Sequence, residues 1–295
     1  MAILTIEKIS KNYGPVKALQ EVSFEVPQGS VFGILGPNGS GKTTLLGIVM
    51  DVLKSTAGSF KLFDELPGAH HRRRIGTLLE TPNFYHYLSA VQNLKITAAI
   101  KQTDEADILR VLELVDLLPR KDSPFSTYSL GMKQRLAIAA ALLGDPEVLV
   151  LDEPTNGLDP VGIAEIRELI RKLAAEGKTI IMASHMLDEV EKVCTHVAIL
   201  KFGKLITSGE VAEILIHDDV VEIAAANMES LFTAVQQMPG LKGLQEKNGV
   251  IQLYFVYDTA RLDEINRFCF EKGHTLSLLQ QKKKSLETKF LELTH

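Results

Sequence analysis

The sequence predicts an α/β fold built on a largely parallel sheet, and three observations predict it. Short apolar strands at residues 31–35, 148–151 and 179–182 alternate with segments of helical spacing, the pattern of a sheet covered on both faces. The first of these strands runs directly into Gly36-Pro37-Asn38-Gly39-Ser40-Gly41-Lys42-Thr43-Thr44 and then into an apolar helical stretch. The second ends in Asp152-Glu153, two carboxylates at the C-terminal end of a strand, where such sheets present their chemical groups.

The N-terminal residues alternate apolar and polar at 3–8 and again at 22–26, ahead of the turn Pro27-Gln28-Gly29, and predict strands. The motif at 36–43 fits G-x-x-x-x-G-K-[ST] in its proper context of strand, tight loop and helix. Glycines let the backbone turn its amides onto phosphate oxygens, and the helix that follows offers its positive end to the same anion. Gly36, Asn38, Gly39, Ser40, Gly41 and Thr44 thus form a phosphate cradle. Lys42 is expected to reach the β- and γ-phosphates of a nucleoside triphosphate, and Thr43 to offer its hydroxyl to Mg²⁺.

Further strands are expected at 59–63 and 75–79, helices at 90–118 and from Ser129 through 143, and a helix at 161–173 closed by Gly177. Asp152 is expected to hold Mg²⁺ through water, and Glu153 to polarise an attacking water. His185 follows the strand at 179–183 and precedes a helix carrying Asp188 and Glu189. Taken alone, Ser129 reads as an ordinary helix cap and His185 as a structural histidine. The pattern changes near residue 216. Strand, helix, hairpin, helix and strand follow, at 220–225, 228–238, 244–246 with 250–257, 260–272 and 274–279, before a closing helix at 285–293. That β-α-β-β-α-β order predicts a small C-terminal α+β split βαβ domain, giving domains at 1–215 and 216–295.

Composition narrows the function. Net charge is −5, a poor field for nucleic acid. Two cysteines, Cys194 and Cys269, imply no disulfide framework and are expected in cores. No apolar run reaches the length of a transmembrane helix, and the N-terminus lacks a basic region followed by a long apolar one. A soluble, cytoplasmic chain is expected. The runs His70-His71-Arg72-Arg73-Arg74 and Lys282-Lys283-Lys284 are expected to be solvated faces.

Together these motifs resemble the nucleotide-binding subunit of ATP-binding cassette transporters over residues 1–215. An aromatic residue (Tyr13), the phosphate loop, a helical insert, a signature helix, the acidic strand and His185 follow one another in that family's order. The resemblance implies a P-loop NTPase fold: a RecA-like core with an antiparallel β subdomain and a helical subdomain. It also implies ATP and Mg²⁺ as cofactors, Tyr13 stacked on adenine with Val16 beside it, and His185 on the γ-phosphate. Two such subunits would pack head to tail, Ser129 and Gly131 meeting the γ-phosphate in trans and Asp159 coupling the two sites.

The family's Leu-Ser-Gly-Gly-Gln signature is Tyr128, Ser129, Leu130, Gly131 and Met132 here, and Glu80 stands where the family has a Mg²⁺-binding glutamine. These variants, with Tyr85, Leu88, Asn93 and Leu94, resemble the ATPases of bacitracin resistance, lantibiotic immunity and gliding-motility exporters. The implied function is ATP hydrolysis that powers an export-type transporter. Its permease would be a separate chain, holding the subunit on the inner face of the membrane, with no nucleic acid as partner. The alternative, a soluble cassette ATPase acting on nucleic acid or ribosomes, is disfavoured by the acidic charge and by the single cassette. The C-terminal domain is expected to serve regulation or dimerisation.

Overall fold

A computed structural model describes residues 1–79, 83–214, 219–247, 249–282 and 286. The chain divides into two compact units, Met1–Val211 and Ala212–Glu292. In the first, alternating apolar positions make two long strands, β1 (Ala2–Tyr13) and β2 (Val16–Pro27), which hairpin together. The apolar β3 (Val31–Leu35) follows, then α1 (Lys42–Val49), and β4 (Ala57–Leu62) returns to pair with β1. The one-turn α2 (Ala69–Arg73) leads into β5 (Ile75–Leu78). Three helices come next: α3 (Ala90–Lys101), α4 (Asp107–Leu114) and α5 (Leu130–Leu142). The remainder alternates: β6 (Val148–Asp152), α6 (Pro160–Ala175), β7 (Thr179–Ser184), α7 (Leu187–Val193), β8 (His196–Lys201) and β9 (Lys204–Glu210).

Two sheets result, an antiparallel β2-β1-β4 and a larger β5-β6-β7-β3-β8-β9 in which only the edge strand β9 runs antiparallel. Strands β3, β6 and β7 are buried along their whole length. That explains their unbroken apolar runs and sets the ends of β3, β6 and β7 side by side. The three helices of the insert are secured by specific contacts. Ser89 and Gln92 form a reciprocal capping box at the start of α3. The buried Asn93 amide holds the preceding loop through Tyr85 N and O, Leu88 O and Ser89 O. At the other end of α3, Lys101 Nζ donates to Ala140 O and Ala141 O of α5; burial lowers its pKa to about 8.

The hairpin β8–β9 was not expected from the sequence. Its two-residue turn, Phe202-Gly203, has both φ angles positive (50° and 74°). Such turns normally carry Asn-Gly or Asp-Gly, so the usual sequence signal is missing. The expected solvated face at residues 70–74 is corrected at one position. His71 is buried, its Nδ1 accepting from Gly68 N (3.2 Å) and its Nε2 lying 3.0 Å from Glu65 Oε2. Glu65, His70 and His71 converge closely enough to suggest a metal. However, the Gly68 amide keeps the His71 proton on Nε2, and a metal there would turn Nδ1–H against that amide. His71 therefore ties down the turn before α2.

After the single turn of α8 (Val211–Ile214), the second unit comprises β10 (Asp219–Ala225), α9 (Met228–Val235), β11 (Leu241–Lys247), β12 (Val250–Phe255), α10 (Leu262–Glu271) and β13 (Leu276–Lys282). Its sheet order β11-β12-β10-β13, antiparallel throughout, is the split βαβ arrangement. Of the closing helix expected at 285–293, only Leu286 is described; Lys283 and Lys284 also lie outside the described residues. One face of the sheet buries Val221, Ile223, Ile251 and Leu253 beneath the helices, with Cys269 among them. Cys194 is buried in the first unit.

On the other face, Glu222 accepts from Gln252 Nε2 (2.8 Å), Lys282 Nζ (2.9 Å) and Gln280 Nε2 (3.0 Å). These bonds hold its pKa down to about 2, from an ordinary 4.5. Because the folded value is the lower one, the carboxylate's contribution is complete above pH 4.5 and is lost as pH falls toward 2. Glu222→Gln is thus expected to destabilise this unit by about 2 kcal/mol at pH 7. Hydrogen exchange of β10 amides at several pH values should show the difference from wild type narrowing below pH 4.5. An undiminished difference at pH 3 would contradict this origin.

Candidate functional site

The phosphate loop lies between β3 and α1, and close approach dictates its glycines. Gly41 has φ 104°, and a Cβ there would lie 2.6 Å from Ala18 O; a Cβ on Gly36 would collide with Leu200 O and Ser40 Oγ. The loop is thus pressed onto β2 and β8. Helix α1 starts without a side-chain cap and without an acid in its first turn, so its positive end is left for an external anion. Ser40 Oγ is buried with no hydrogen-bond partner among the described residues. Asn38, Gly39, Ser40, Gly41, Lys42, Thr43 and Thr44 line one cleft of about 580 Å³ together with Glu153. A cradle of this kind fits a polyphosphate.

Three predicted residues meet directly. Lys42 is 5% exposed; its Nζ donates to Gly36 O (2.8 Å) and lies 3.3 Å from Glu153 Oε1. The other oxygen, Glu153 Oε2, lies 2.8 Å from His185 Nδ1. Phosphate-loop lysine, carboxylate and histidine form one connected set drawn from the ends of β3, β6 and β7. Glu153 has a left-handed backbone (φ 49°), fixed by its N–H to Ala183 O (3.0 Å) and by Asn156 N to its carbonyl (3.1 Å). A non-glycine residue so held stores strain of about 1–3 kcal/mol, a frequent feature of functional positions. Asp152 is buried at the end of β6, adjacent to Glu153. The exposed Thr43 hydroxyl and this carboxylate are hard oxygen donors, the type Mg²⁺ takes. Glu80, the other predicted Mg²⁺ ligand, lies outside the described residues.

Other predicted residues stand apart from this cleft. Val16 is on its wall; Tyr13, its hairpin partner, is half-exposed beside it, with the Lys11 ammonium 5.0 Å from the ring centre. Ser129, Gly131 and Asp159 are not among the residues lining the cleft. Ser129 caps α5 by accepting from Met132 N (3.3 Å), and a Cβ on Gly131 would meet nothing within 4 Å. Asp159 Oδ1 caps α6 by accepting from Gly162 N (2.9 Å), with Pro160 in the first helical position. The departures in the signature have visible partners. Tyr128 is buried, its hydroxyl donating to Arg120 O (2.7 Å), while Leu130 Cδ2 lies 3.3 Å from where a Cβ on Gly157 would be. The sequence reading missed four residues on the cleft wall, Lys17, Ala18, Gln20 and Phe202. Gln20 gave no motif signal, and Phe202 sits in the unrecognised turn.

Comparison with known proteins bears on this geometry. The family described as ABC transporter matches residues 19–156. The bacitracin transport ATP-binding protein BcrA of Enterococcus faecalis is 33% identical, over 99% of this chain and 96% of its own length. The chain belongs to the ABC transporter family. The lantibiotic transport ATP-binding protein SrtF of Streptococcus pyogenes is 39% identical, over 70% of this chain and 91% of its own. Among solved structures, the ATP-binding cassette MJ0796, a dimer bound to ADP and Pi, superposes with TM-score 0.62 at 25% identity, covering 70% of this chain and 98% of that one.

This cassette is an ATP-binding and ATP-hydrolysing subunit of an ABC transporter. The alternative of a soluble ATPase acting on nucleic acid gains no support from these relatives. No helix among the described residues is long and apolar enough to cross a membrane.

Proposed function

We propose that the chain is the motor of an export-type transporter whose permease is a separate polypeptide, holding the subunit at the inner face of the membrane. Domains at 1–215 and 216–295 carry ATP turnover and regulation or dimerisation respectively. The observation that carries the catalytic reading is Glu153, with one oxygen on Lys42 Nζ and the other on His185 Nδ1. A carboxylate between the lysine that binds the terminal phosphates and a histidine at the same strand ends suits a water-activating base.

In this reading Lys42 Nζ moves from Gly36 O to the β- and γ-phosphate oxygens, and the loop amides bind the remaining charge. Glu153 accepts the proton of the attacking water at a carboxylate oxygen. His185 donates from Nδ1 to orient that carboxylate; donating also from Nε2 to the γ-phosphate requires both ring nitrogens to carry protons. Thr43 and Asp152, with Glu80, would hold Mg²⁺, which when bound neutralises charge developing on the transferred phosphoryl group. Tyr13 and Val16 border the adenosine.

Ser129, Gly131 and Asp159 lie off the Lys42 cleft, and the reading assigns them to the site of a second copy packed head to tail. The dimeric MJ0796 cassette supports the pairing of two such subunits. The names of BcrA and SrtF support an antibiotic-peptide export system.

The test is oligomeric state. Glu153→Gln, mixed with MgATP and analysed by light scattering, should run as a dimer, and the same variant carrying Ser129→Arg should remain a monomer. A Glu153→Gln dimer unaffected by Ser129→Arg would remove Ser129 from the shared site.

A further inference from the structure

Phe202 occupies a place that neither backbone preference nor burial accounts for. It is the first residue of the two-residue β8–β9 turn, with φ 50°, where asparagine, aspartate or glycine is the low-strain choice. Its side chain gains nothing from a core, being 73% exposed. Its described ring contact is the Lys201 ammonium, 5.6 Å from the ring centre. Yet the turn is rigidly seated. Gln20 Nε2 donates to Phe202 O (2.8 Å), Gln20 N to Gly203 O (2.8 Å) and Gly203 N to Ser40 O of the phosphate loop (3.1 Å). A Cβ on Gly203 would lie 2.6 Å from Ala18 O, so the turn packs directly against β2. The phenyl group therefore stands at a fixed offset from the phosphate cradle, on the wall of the cleft shared with Val16, Lys17 and Gln20.

An exposed aromatic face held at a set distance from a phosphate-binding loop is suited to a planar ring carried by the same ligand, and such contacts are favourable beyond the area they bury. We infer that Phe202 is a base-contacting residue: its ring packs against the purine of the bound nucleotide, from a different hairpin than the one that carries Tyr13. The inference rests on the cleft being the nucleotide site.

Equilibrium binding of MgATP and of inorganic triphosphate tests it, in wild type and in Phe202→Ala, Phe202→Asn and Phe202→Trp. Both truncations should weaken MgATP by about 3- to 10-fold and leave triphosphate unchanged. Phe202→Asn should melt at or above the wild-type temperature, because asparagine suits the turn. The chain has no tryptophan, so Phe202→Trp supplies a lone tryptophan whose emission should respond to MgATP and not to triphosphate. Unchanged MgATP affinity in the Ala and Asn variants overturns the assignment. So does an equal loss for both ligands, which would mean a disturbed loop. A wild-type chain that binds triphosphate but gains nothing from the nucleoside overturns the base contact while sparing the cradle; one that binds neither overturns the nucleotide site and this inference together.

Discussion

Glu153→Gln is expected to lower phosphate release by about 100-fold or more, the scale of losing a general base, while MgATP still binds. The amide keeps the size of the side chain and can still meet His185 Nδ1, now 2.8 Å from Glu153 Oε2. It cannot accept a proton from water. It also leaves Lys42 Nζ without its carboxylate neighbour at 3.3 Å, so the lysine remains free to meet phosphate and affinity should hold or rise. A malachite-green assay under saturating MgATP, paired with binding of a fluorescent ATP analogue, separates the two effects. Wild-type turnover in this variant would take the base role from Glu153; loss of both turnover and binding would make the carboxylate a structural partner of Lys42.

Lys42→Ala should act on the other half of the site and weaken nucleotide binding by about 30-fold or more. Lys42 is buried at the foot of the loop, and its charge is placed to follow the terminal phosphates. Removing one member of a buried, hydrogen-bonded charge pair costs at least about 2 kcal/mol, or roughly 30-fold in affinity. The truncation also leaves Gly36 O and Pro37 O without the Nζ donor and Glu153 with His185 as its neighbour, so the empty protein should lose some stability too. Isothermal titration with MgATP at matched melting temperature, adjusted by assay temperature, isolates the ligand effect. Affinity within threefold of wild type would contradict the assigned role of the lysine.

Where an element's chemistry is local, the sequence was enough to read it. The glycines of the phosphate loop, the carboxylates ending β6 and the cap at Ser129 each need only neighbours within a few residues, and each appears where its spacing put it. The split βαβ order was legible for the same reason, through alternation.

Three features resisted reading because their cause is remote in sequence. The β8–β9 turn takes a left-handed Phe202 because the phosphate loop and β2 clamp it from outside. His71, in a run of polar residues, is buried because Glu65 and Gly68 curl around it. Lys282 is exposed as expected, yet its ammonium joins Gln280 of the same strand β13 and Gln252 of β12 in converging on Glu222. Conversely, Asp159 was singled out for a role between subunits, and its local duty of capping α6 went unread.

The central claim, that ATP turnover here drives a separate membrane permease, is tested most directly by affinity purification from native membranes. The tagged Glu153→Gln chain would be extracted in mild detergent with MgATP present, and its partners identified by mass spectrometry. The account predicts recovery of a polytopic membrane protein in stoichiometric amount. Recovery of soluble proteins or nucleic acid alone, by a chain that binds MgATP normally, would contradict it.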